Sequence, residues 1–318
     1  MSDIFRSVWA AQLTAFVQEK RVVGYRYISE AAHMHQLDCF LCTHPDSQGH
    51  LSRSLVESYI AKQPHERPRT HQARIQQVRH FALFLQRRGM VAYVPDSRLT
   101  PTAHLDFVPY IFTHVQIRQL LHAIDRLRPD PRSPERHRIM PELFRVLYGC
   151  GCRCGEVLRL RVADVDLDTG VLTIRQGKFR KDRLVPLTPA LTDRLRRYAI
   201  VMNLVDPEAV FFPNPYGKRY DIGSIYHIFR WALRQCGIPH GGRGRGPRMH
   251  DLRHTFAVHC LERWYRQGED LNASLPLLVA YLGHQGLNGT QRYLRLTPEL
   301  FPNITARLES FLNSSNQS

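Results

Sequence analysis

The stretch from residue 249 to residue 293 holds the most constraining pattern in this sequence. It begins with Met249–His254, continues with Leu282-Gly283-His284 and ends with Thr290-Gln291-Arg292-Tyr293. A fold in which these segments meet would place two imidazoles, an arginine and a tyrosine around one phosphate group. A tyrosine can replace water as the nucleophile in phosphoryl transfer when cationic donors neutralise the transition state. The pattern therefore predicts chemistry on a nucleic-acid backbone.

The charge balance favours the same class of partner. The 318 residues carry a formal net charge of +16 at pH 7, with 39 arginines and only 5 lysines. Residues 1–112 contribute +4 and residues 113–318 contribute +12. Guanidinium groups suit paired contacts to phosphate oxygens better than ammonium groups do. We therefore expect a polyanion such as nucleic acid as the partner, with a merely solvated basic surface as the alternative.

The sequence also indicates the cellular compartment. No apolar run approaches the ~20 residues of a membrane span, and the first residues lack the apolar stretch of a signal peptide. Seven cysteines, an odd number, are typical of reduced thiols rather than of a disulfide framework. We therefore expect a cytoplasmic protein with no membrane partner.

Two segments resemble a metal site and a nucleotide-binding loop, but each lacks residues that such a site needs. The histidines and cysteines between His33 and His44 lack the second ligand pair that a tetrahedral zinc site needs. The glycine-rich run 240–248 lacks the Gly-Lys-Ser/Thr of a phosphate-binding loop. We expect neither a metal nor a cofactor.

Two segments of different pattern predict two domains. Residues 1–94 follow a helical period, as the apolar positions from Phe5 to Val17 illustrate. Residues 95–109 are bounded by prolines and show no sustained period, which is typical of a linker. Residues 110–318 contain further helical patterns and two strand patterns, at 171–174 and 183–187. The predicted fold class is mainly α with a small antiparallel β-sheet.

Several element boundaries can be predicted from local signals. Thr113 and Gln116 match a capping box, and Ser52 is placed to cap an earlier helix. Further helices are expected over 140–148, 189–203, 223–236, 251–266 and 274–282. A C-terminal helix carries an apolar stripe formed by Leu300, Phe301, Ile304, Leu308, Phe311 and Leu312. This helix packs on its own domain or docks into a neighbouring protomer, and the sequence does not separate these alternatives.

Residues 113 to about 305 resemble the catalytic domain of the tyrosine recombinase, or phage integrase, family. Four motifs match in the family's order: Gly149–Leu160 resembles its first arginine box, Gly177-Lys178 stands at its hairpin lysine, His250–His254 resembles its His-x-x-Arg box, and Leu282-Gly283-His284 with Tyr293 resembles its third box. The resemblance implies a helical core-binding domain of the SAM-like type over residues 1–94 and an α+β catalytic domain with a C-terminal helix over residues 110–318.

The candidate catalytic residues are Arg153, Lys178, His250, Arg253, His284 and Tyr293. Tyr293 is the expected nucleophile, and His250 takes or returns its proton. Arg153 and Arg253 are expected to stabilise charge on the phosphate oxygens, and His284 to hydrogen-bond one of them.

Glu156 follows Arg153 by three residues on a predicted helix, a spacing at which it can orient that arginine without touching substrate. An exposed helix pair is the alternative. The 5′ hydroxyl that leaves needs a proton donor, and Lys178 fits by its place after Gly177. Lys181 is the alternative, because Phe179 replaces the second glycine that is usual in the family.

Seven basic residues are expected to contact DNA: Arg74, Arg79, Arg180, Lys181, Arg243, Arg245 and Arg248. The first two lie away from the apolar side of the helix that follows the breaker-rich run 63–68. The last three lie in the cationic loop 240–248, for which a merely solvated loop is the alternative.

The residues and the resemblance predict a site-specific DNA recombinase that cleaves and rejoins strands through a 3′-phosphotyrosyl intermediate. By resemblance, a homotetramer assembles on paired recombination sites and exchanges C-terminal helices between protomers. The long segments 240–248 and 263–274 resemble a subgroup carried on mobile elements. Two alternatives stay open: an enzyme that relaxes supercoils as type IB topoisomerases do, and a DNA-binding accessory protein that does not cleave.

Overall fold

The computed structural model describes residues 4–25, 27–47, 49–99, 108–175, 182–242 and 246–283. The chain divides into two compact units, Met1–Phe107 and Val108–Ser318. The division falls within residues 95–109, the predicted linker. None of the helices among the described residues has the length and apolar character needed to cross a membrane.

The described part of the first unit is helical with one short pair of parallel strands. Its elements are α1 (Ala10–Val22), α2 (Ser29–Cys42), β1 (His50–Leu51), α3 (Arg53–Ile60), α4 (Pro68–Arg87) and β2 (Val91–Ala92). Ser52 caps α3 as predicted, since its side chain accepts a hydrogen bond from the backbone of Leu55. Aromatic side chains from α1 and α4, including Phe16 and Phe81, meet in the buried core.

Helix α2 was not singled out in the sequence, because a charged residue interrupts its apolar positions. Asp38 is 4% exposed. Its carboxylate accepts hydrogen bonds from the backbone of Arg6, at 2.8 Å, and of Ser7, at 3.0 Å. A buried carboxylate that is satisfied by backbone donors is compatible with a core position. Asp38 therefore anchors the segment before α1.

Arg74, predicted as a DNA contact, is instead a buried structural residue. Its side chain is 4% exposed and pairs with Glu66, with Nη2 lying 2.6 Å from Oε2. The guanidinium also donates to the backbone carbonyls of Tyr59 and Ala61. The turn between α3 and α4 surrounds this side chain, so the prediction that Arg74 contacts DNA is wrong.

The described part of the second unit contains a helical core and one antiparallel sheet. Its helices are α5 (His114–Asp125), α6 (Arg136–Gly149), α7 (Cys154–Val157), α8 (Pro189–Val201), α9 (Ile222–Gln235), α10 (Asp251–Arg266) and α11 (Leu271–Leu282). Its strands are β3 (Val165–Asp166), β4 (Val171–Ile174) and β5 (Arg183–Pro186), in the order β3-β4-β5. The predicted fold class, mainly α with a small antiparallel sheet, is confirmed.

Local signals set several of these boundaries. Thr113 and Gln116 form the predicted capping box at the start of α5. The predicted helix 251–266 has the observed bounds, whereas α11 begins three residues earlier than predicted. Strand β3 was not predicted, because its two residues are too few to show an alternating pattern.

Helix α6 lies against α5, α8 and α10 and positions the loop that follows it. The hydroxyl of Tyr148, near the end of α6, lies 2.9 Å from Nδ1 of His259 on α10. Close to the start of α10, the hydroxyl of Thr255 accepts a hydrogen bond from the backbone of Phe112 at 3.0 Å. The first contact joins the end of α6 to α10, and the second joins the segment before α5 to α10.

We expect Arg74→Met to destabilise the first unit by about 3 kcal/mol, because it leaves the Glu66 carboxylate buried without its partner. Urea unfolding followed by Trp9 fluorescence, in a background in which the other two tryptophans are phenylalanine, measures the change. The double variant Arg74→Met/Glu66→Leu should recover part of the loss, since apolar pairs often replace buried ion pairs at little cost. Arg53→Met, which removes an exposed pair with Glu57, is the control. Equal stability of Arg74→Met and the control would contradict the assignment.

Candidate active site

Arg153 lies in the loop between α6 and α7 and immediately precedes α7. Its side chain is 24% exposed, and Nη1 donates to Oε1 of Glu156 at 2.7 Å. The loop can pass this point only because residue 151 is glycine. Gly151 has φ +58°, and a Cβ there would lie 2.4 Å from Cδ1 of Phe256. The loop thus holds Arg153 against α7 with part of its guanidinium accessible.

Glu156 is the most heavily bonded acid of the site. Its side chain is 2% exposed, and Oε2 accepts the backbone N–H of Arg153 at 3.0 Å. Both oxygens accept from Arg183, at 3.1 Å from Nη1 and 2.8 Å from Nη2. Burial alone would raise the pKa of Glu156, but the hydrogen bonds from Arg183 and Arg153 outweigh burial and lower the pKa to about 2. Glu156 is therefore a carboxylate at every physiological pH.

Arg253, on α10, lies almost wholly within the protein at 1% exposure. Nη1 donates to the carbonyl of Gly151 at 2.8 Å, and Nη2 donates to the carbonyl of Leu282 at 2.6 Å. These two bonds use two of the five donors of a guanidinium. Arg253 therefore joins the loop of Arg153 to the end of α11, where the segment Gly283-His284 begins.

His250 stands at the N-terminus of α10, one residue before the helix begins. The residue keeps an exposed side, yet its pKa is lowered to about 4. Burial is the largest cause; the charges of Arg253, Arg153 and Arg248 add to it, and Glu156 opposes it. The imidazole is therefore neutral at pH 7, where it can accept a proton.

The structure brings three of the predicted catalytic residues, Arg153, His250 and Arg253, into one electrostatic cluster together with Glu156. Seven predicted site residues lie outside the described part of the chain: Lys178, Arg180, Lys181, Arg243, Arg245, His284 and Tyr293. The described residue nearest in sequence to Tyr293 is Gly283, which follows α11 directly.

Two further predicted DNA contacts are described. Arg79 is half-buried and donates to the carbonyl of Pro95. Arg248 precedes α10, and its backbone N–H donates to Asp251 at 2.8 Å, while its guanidinium lies 3.5 Å from the same carboxylate. Arg248 therefore lies beside His250 at the edge of the cluster.

Two features were missed in the sequence. Arg183, in β5, pairs with Glu156 across 27 residues, and no local pattern marks such a contact. The other feature is an exposed cationic stripe on α9, formed by His227, Arg230 and Arg234. This stripe lies opposite the buried positions Ile225 and Phe229, and the helical spacing of its members could have revealed it.

Tyr281 is the tyrosine closest in sequence to the third box that the structure describes. Its ring stacks on Phe256, with centroids 5.6 Å apart, and its hydroxyl donates to the carbonyl of Pro186 at 3.2 Å. Burial raises the pKa of this phenol well above its usual value. These two contacts pack Tyr281 against α10 and β5.

His114, His259 and Glu262 each offer a metal-ligand atom, and these atoms lie within 4.8 Å of one another. The two imidazole rings stack, with centroids 3.7 Å apart and planes 22° apart. Two imidazoles that share one ion direct their nitrogens at it within the ring planes. Stacked rings cannot do this without rotating, so the arrangement favours packing over metal binding.

A groove of about 740 Å³ lies along α10 and α11. Its apolar lining includes Phe256, Trp264, Leu278 and Tyr281. The groove lies near the end of the described chain, since Gly283 follows α11 directly.

The sequence profile of the Phage integrase family matches residues 111–299. The putative integrase/recombinase y4rB of Sinorhizobium fredii is 30% identical over 311 residues, which is 95% of this chain and 98% of that protein. Among solved structures, XerH site-specific recombinase bound to palindromic difH substrate in a post-cleavage complex has a TM-score of 0.65 at 17% identity, over 94% of this chain and 84% of that one.

A lambda integrase(75-356) dimer bound to a COC′ core site has a TM-score of 0.61 at 14% identity, over 87% of this chain and 95% of that one. At sequence identities of 17% and 14%, the similarity to these two structures shows the fold alone. The family profile, however, spans more than half of the chain, and the likeness to y4rB spans nearly all of it. The chain therefore belongs to the phage integrase family of tyrosine recombinases.

Proposed function

We propose that this protein is a site-specific recombinase that cuts and rejoins double-stranded DNA through a 3′-phosphotyrosyl link. The observation that carries the proposal is the cluster of Arg153, Arg253 and the neutral imidazole of His250. Fixed guanidiniums stabilise the negative charge that builds on phosphate oxygens in the transition state, and a neutral imidazole accepts a proton.

In the proposed reaction the phenol oxygen of Tyr293 attacks phosphorus and its proton passes to His250. The bond from phosphorus to the 5′ oxygen breaks, and Lys178 supplies the proton that this oxygen needs to leave as a hydroxyl. His284 donates a hydrogen bond to a phosphate oxygen. Since the new phosphotyrosyl bond replaces the phosphodiester, a second 5′ hydroxyl can reverse the step without a nucleotide.

The charges around His250 also support a proposal for how bound DNA changes the pKa of this imidazole. In the free site the positive charges of Arg253, Arg153 and Arg248 lower the pKa of His250, and the negative charge of Glu156 raises it. A phosphate adds negative charge next to His250 and raises its pKa from about 4 towards neutrality. We infer that His250 becomes a better proton acceptor only when DNA is bound.

The cationic stripe on α9 supports a proposal for how the DNA is held. His227, Arg230 and Arg234 project from one face of a helix whose opposite face is buried. An α-helix fits the major groove, where arginine can pair with guanine edges and phosphates. We infer that α9 contacts the major groove, and that Arg79, Arg180, Lys181, Arg243, Arg245 and Arg248 contact phosphates.

We also propose a homotetramer on paired sites, in the cytoplasm, in which the C-terminal helix of one protomer occupies the groove along α10 and α11 of the next. The groove is apolar, as is the stripe from Leu300 to Leu312 in the sequence. An amphipathic helix binds such a groove through its apolar face.

We expect Tyr293→Phe to abolish the covalent protein–DNA adduct on a suicide substrate and to leave DNA binding unchanged, because only the nucleophilic oxygen is lost. Denaturing gels measure the adduct and mobility shifts measure binding. Tyr281→Phe is the matched control and should keep the adduct, since its hydroxyl binds the carbonyl of Pro186. An adduct that persists in Tyr293→Phe, or is lost only in Tyr281→Phe, would contradict the assignment. Relaxation of DNA without paired sites would favour the topoisomerase alternative.

We expect Lys178→Ala to slow strand cleavage by roughly a hundredfold, the scale of a general acid. A substrate with sulfur at the 5′ bridging position should restore the rate, because a thiolate leaves without a proton. Lys181→Ala is the control and should cleave both substrates at comparable rates. Rescue of Lys181→Ala but not of Lys178→Ala would transfer the role to Lys181.

We expect removal of residues 300–318 to prevent two-site complexes while binding to a single site persists, because the apolar helix is lost. Removal of residues 313–318, the polar tail, is the control and should preserve assembly. Analytical ultracentrifugation with one-site and two-site DNA distinguishes the outcomes. A large fall in the melting temperature of the free protein, with assembly intact, would instead show that the helix packs on its own domain.

A further inference from the structure

Arg183 uses every nitrogen of its guanidinium within the site. Nη1 and Nη2 bind the two oxygens of Glu156, and Nε donates to the carbonyl of Tyr281 at 3.0 Å. The side chain is 11% exposed. A planar fork that meets a carboxylate with two parallel bonds fixes geometry as well as charge. Arg183 therefore holds Glu156 and the end of α11 at fixed positions relative to β5.

Two arginines together cap the C-terminus of α11. The last carbonyls of a helix have no partner within the helix and carry partial negative charge. Arg183 binds the carbonyl of Tyr281, and Arg253 binds the carbonyl of Leu282. In the sequence, Leu282 is followed by Gly283 and then by the predicted phosphate ligand His284.

Gly283 passes directly over the Arg183 side chain. Its φ is +66°, and a Cβ at this position would lie 3.1 Å from Cδ and 3.3 Å from Nε of Arg183. The turn that leads to His284 therefore rests on the stem of Arg183. One side chain thus contacts both the acid that orients Arg153 and the turn that begins the third box.

Arg183 also determines how much of the Glu156 charge the rest of the site experiences. With Arg183 present, two guanidiniums share this carboxylate. Without Arg183, the described residues leave Glu156 with a single charged partner, Arg153. The negative charge of Glu156 then acts with less opposition on His250.

Resting on the proposed function, we propose that Arg183 is a positioning residue for strand cleavage, which sets the orientation of Arg153 and the turn before His284 and neutralises Glu156. It acts through other residues and does not contact the reacting atoms. Its removal should therefore lower the rate of cleavage and not the affinity for DNA.

The test compares Arg183→Met with Arg194→Met in the full-length protein. Arg194 forms an equally bidentate pair with the buried Glu142, between α8 and α6, and is absent from the cluster around His250. We expect Arg183→Met to slow single-turnover adduct formation roughly ten- to a hundredfold, with a DNA Kd within about twofold of the wild-type value. Arg194→Met should lower stability and leave the rate per folded molecule unchanged.

The pH profile separates positioning from general destabilisation. The charged and titratable groups facing His250 are Arg253, Arg153, Arg248, Glu156 and, at 4.8 Å between ring centroids, His254. Loss of the Arg183 charge leaves the Glu156 carboxylate less neutralised, which favours the protonated form of the His250 imidazole. The acid limb of the cleavage profile, where the rate falls at low pH, should therefore move to higher pH in Arg183→Met. The double variant Arg183→Met/Glu156→Gln should return the limb to the wild-type position, because the uncovered charge is gone.

Arg183→Lys provides a measurement if Arg183→Met fails to fold. A lysine retains the charge but not the fork, so the acid limb should stay in place while the rate falls. A rate and pH profile in Arg183→Met equal to those of Arg194→Met, or a limb that stays shifted in the double variant, would overturn the inference. Absence of any adduct from the wild-type protein would instead overturn the proposed function.

Discussion

The pairing of the Glu156 carboxylate with two arginines is the interaction on which the site depends. A carboxylate 2% exposed is costly unless donors satisfy it, and here Arg153 and Arg183 supply them. Arg253 adds bonds to the carbonyls of Gly151 and Leu282. Four distant segments, namely the loop after α6, β5, α10 and the end of α11, are therefore held together by arginines that bind one acid and three carbonyls.

This network builds the positive field before a substrate arrives. Burial is the largest cause of the lowered pKa of His250 and the neighbouring guanidiniums add to it, so the imidazole is neutral at pH 7. Donors that are already in place stabilise a transition state without the cost of reorganising during the reaction. The carboxylate of Glu156 accepts hydrogen bonds from Arg153 and Arg183 and places a negative charge among the arginines.

How much the sequence reveals depends on the range of the contact. The helical period, the capping box of Thr113 and Gln116, and the motif order around Arg153, His250 and Arg253 are local signals, and they located elements and a cluster that the structure describes. Arg74 has the sequence appearance of a surface arginine, and only the turn between α3 and α4 reveals its buried pair with Glu66. The role of Arg183 could not be predicted from local patterns, because its partners Glu156 and Tyr281 lie 27 and 98 residues away in the sequence.

The central claim is that Arg153 neutralises a negatively charged non-bridging oxygen of the scissile phosphate. A methylphosphonate at this position replaces that oxygen by an uncharged methyl group and removes the need for the neutralising charge. The direct measurement is covalent adduct formation by Arg153→Ala on matched phosphate and methylphosphonate substrates. The account predicts little adduct on the phosphate and a restored rate on the methylphosphonate. Equal inactivity on both substrates, with DNA binding and folding intact, would contradict it.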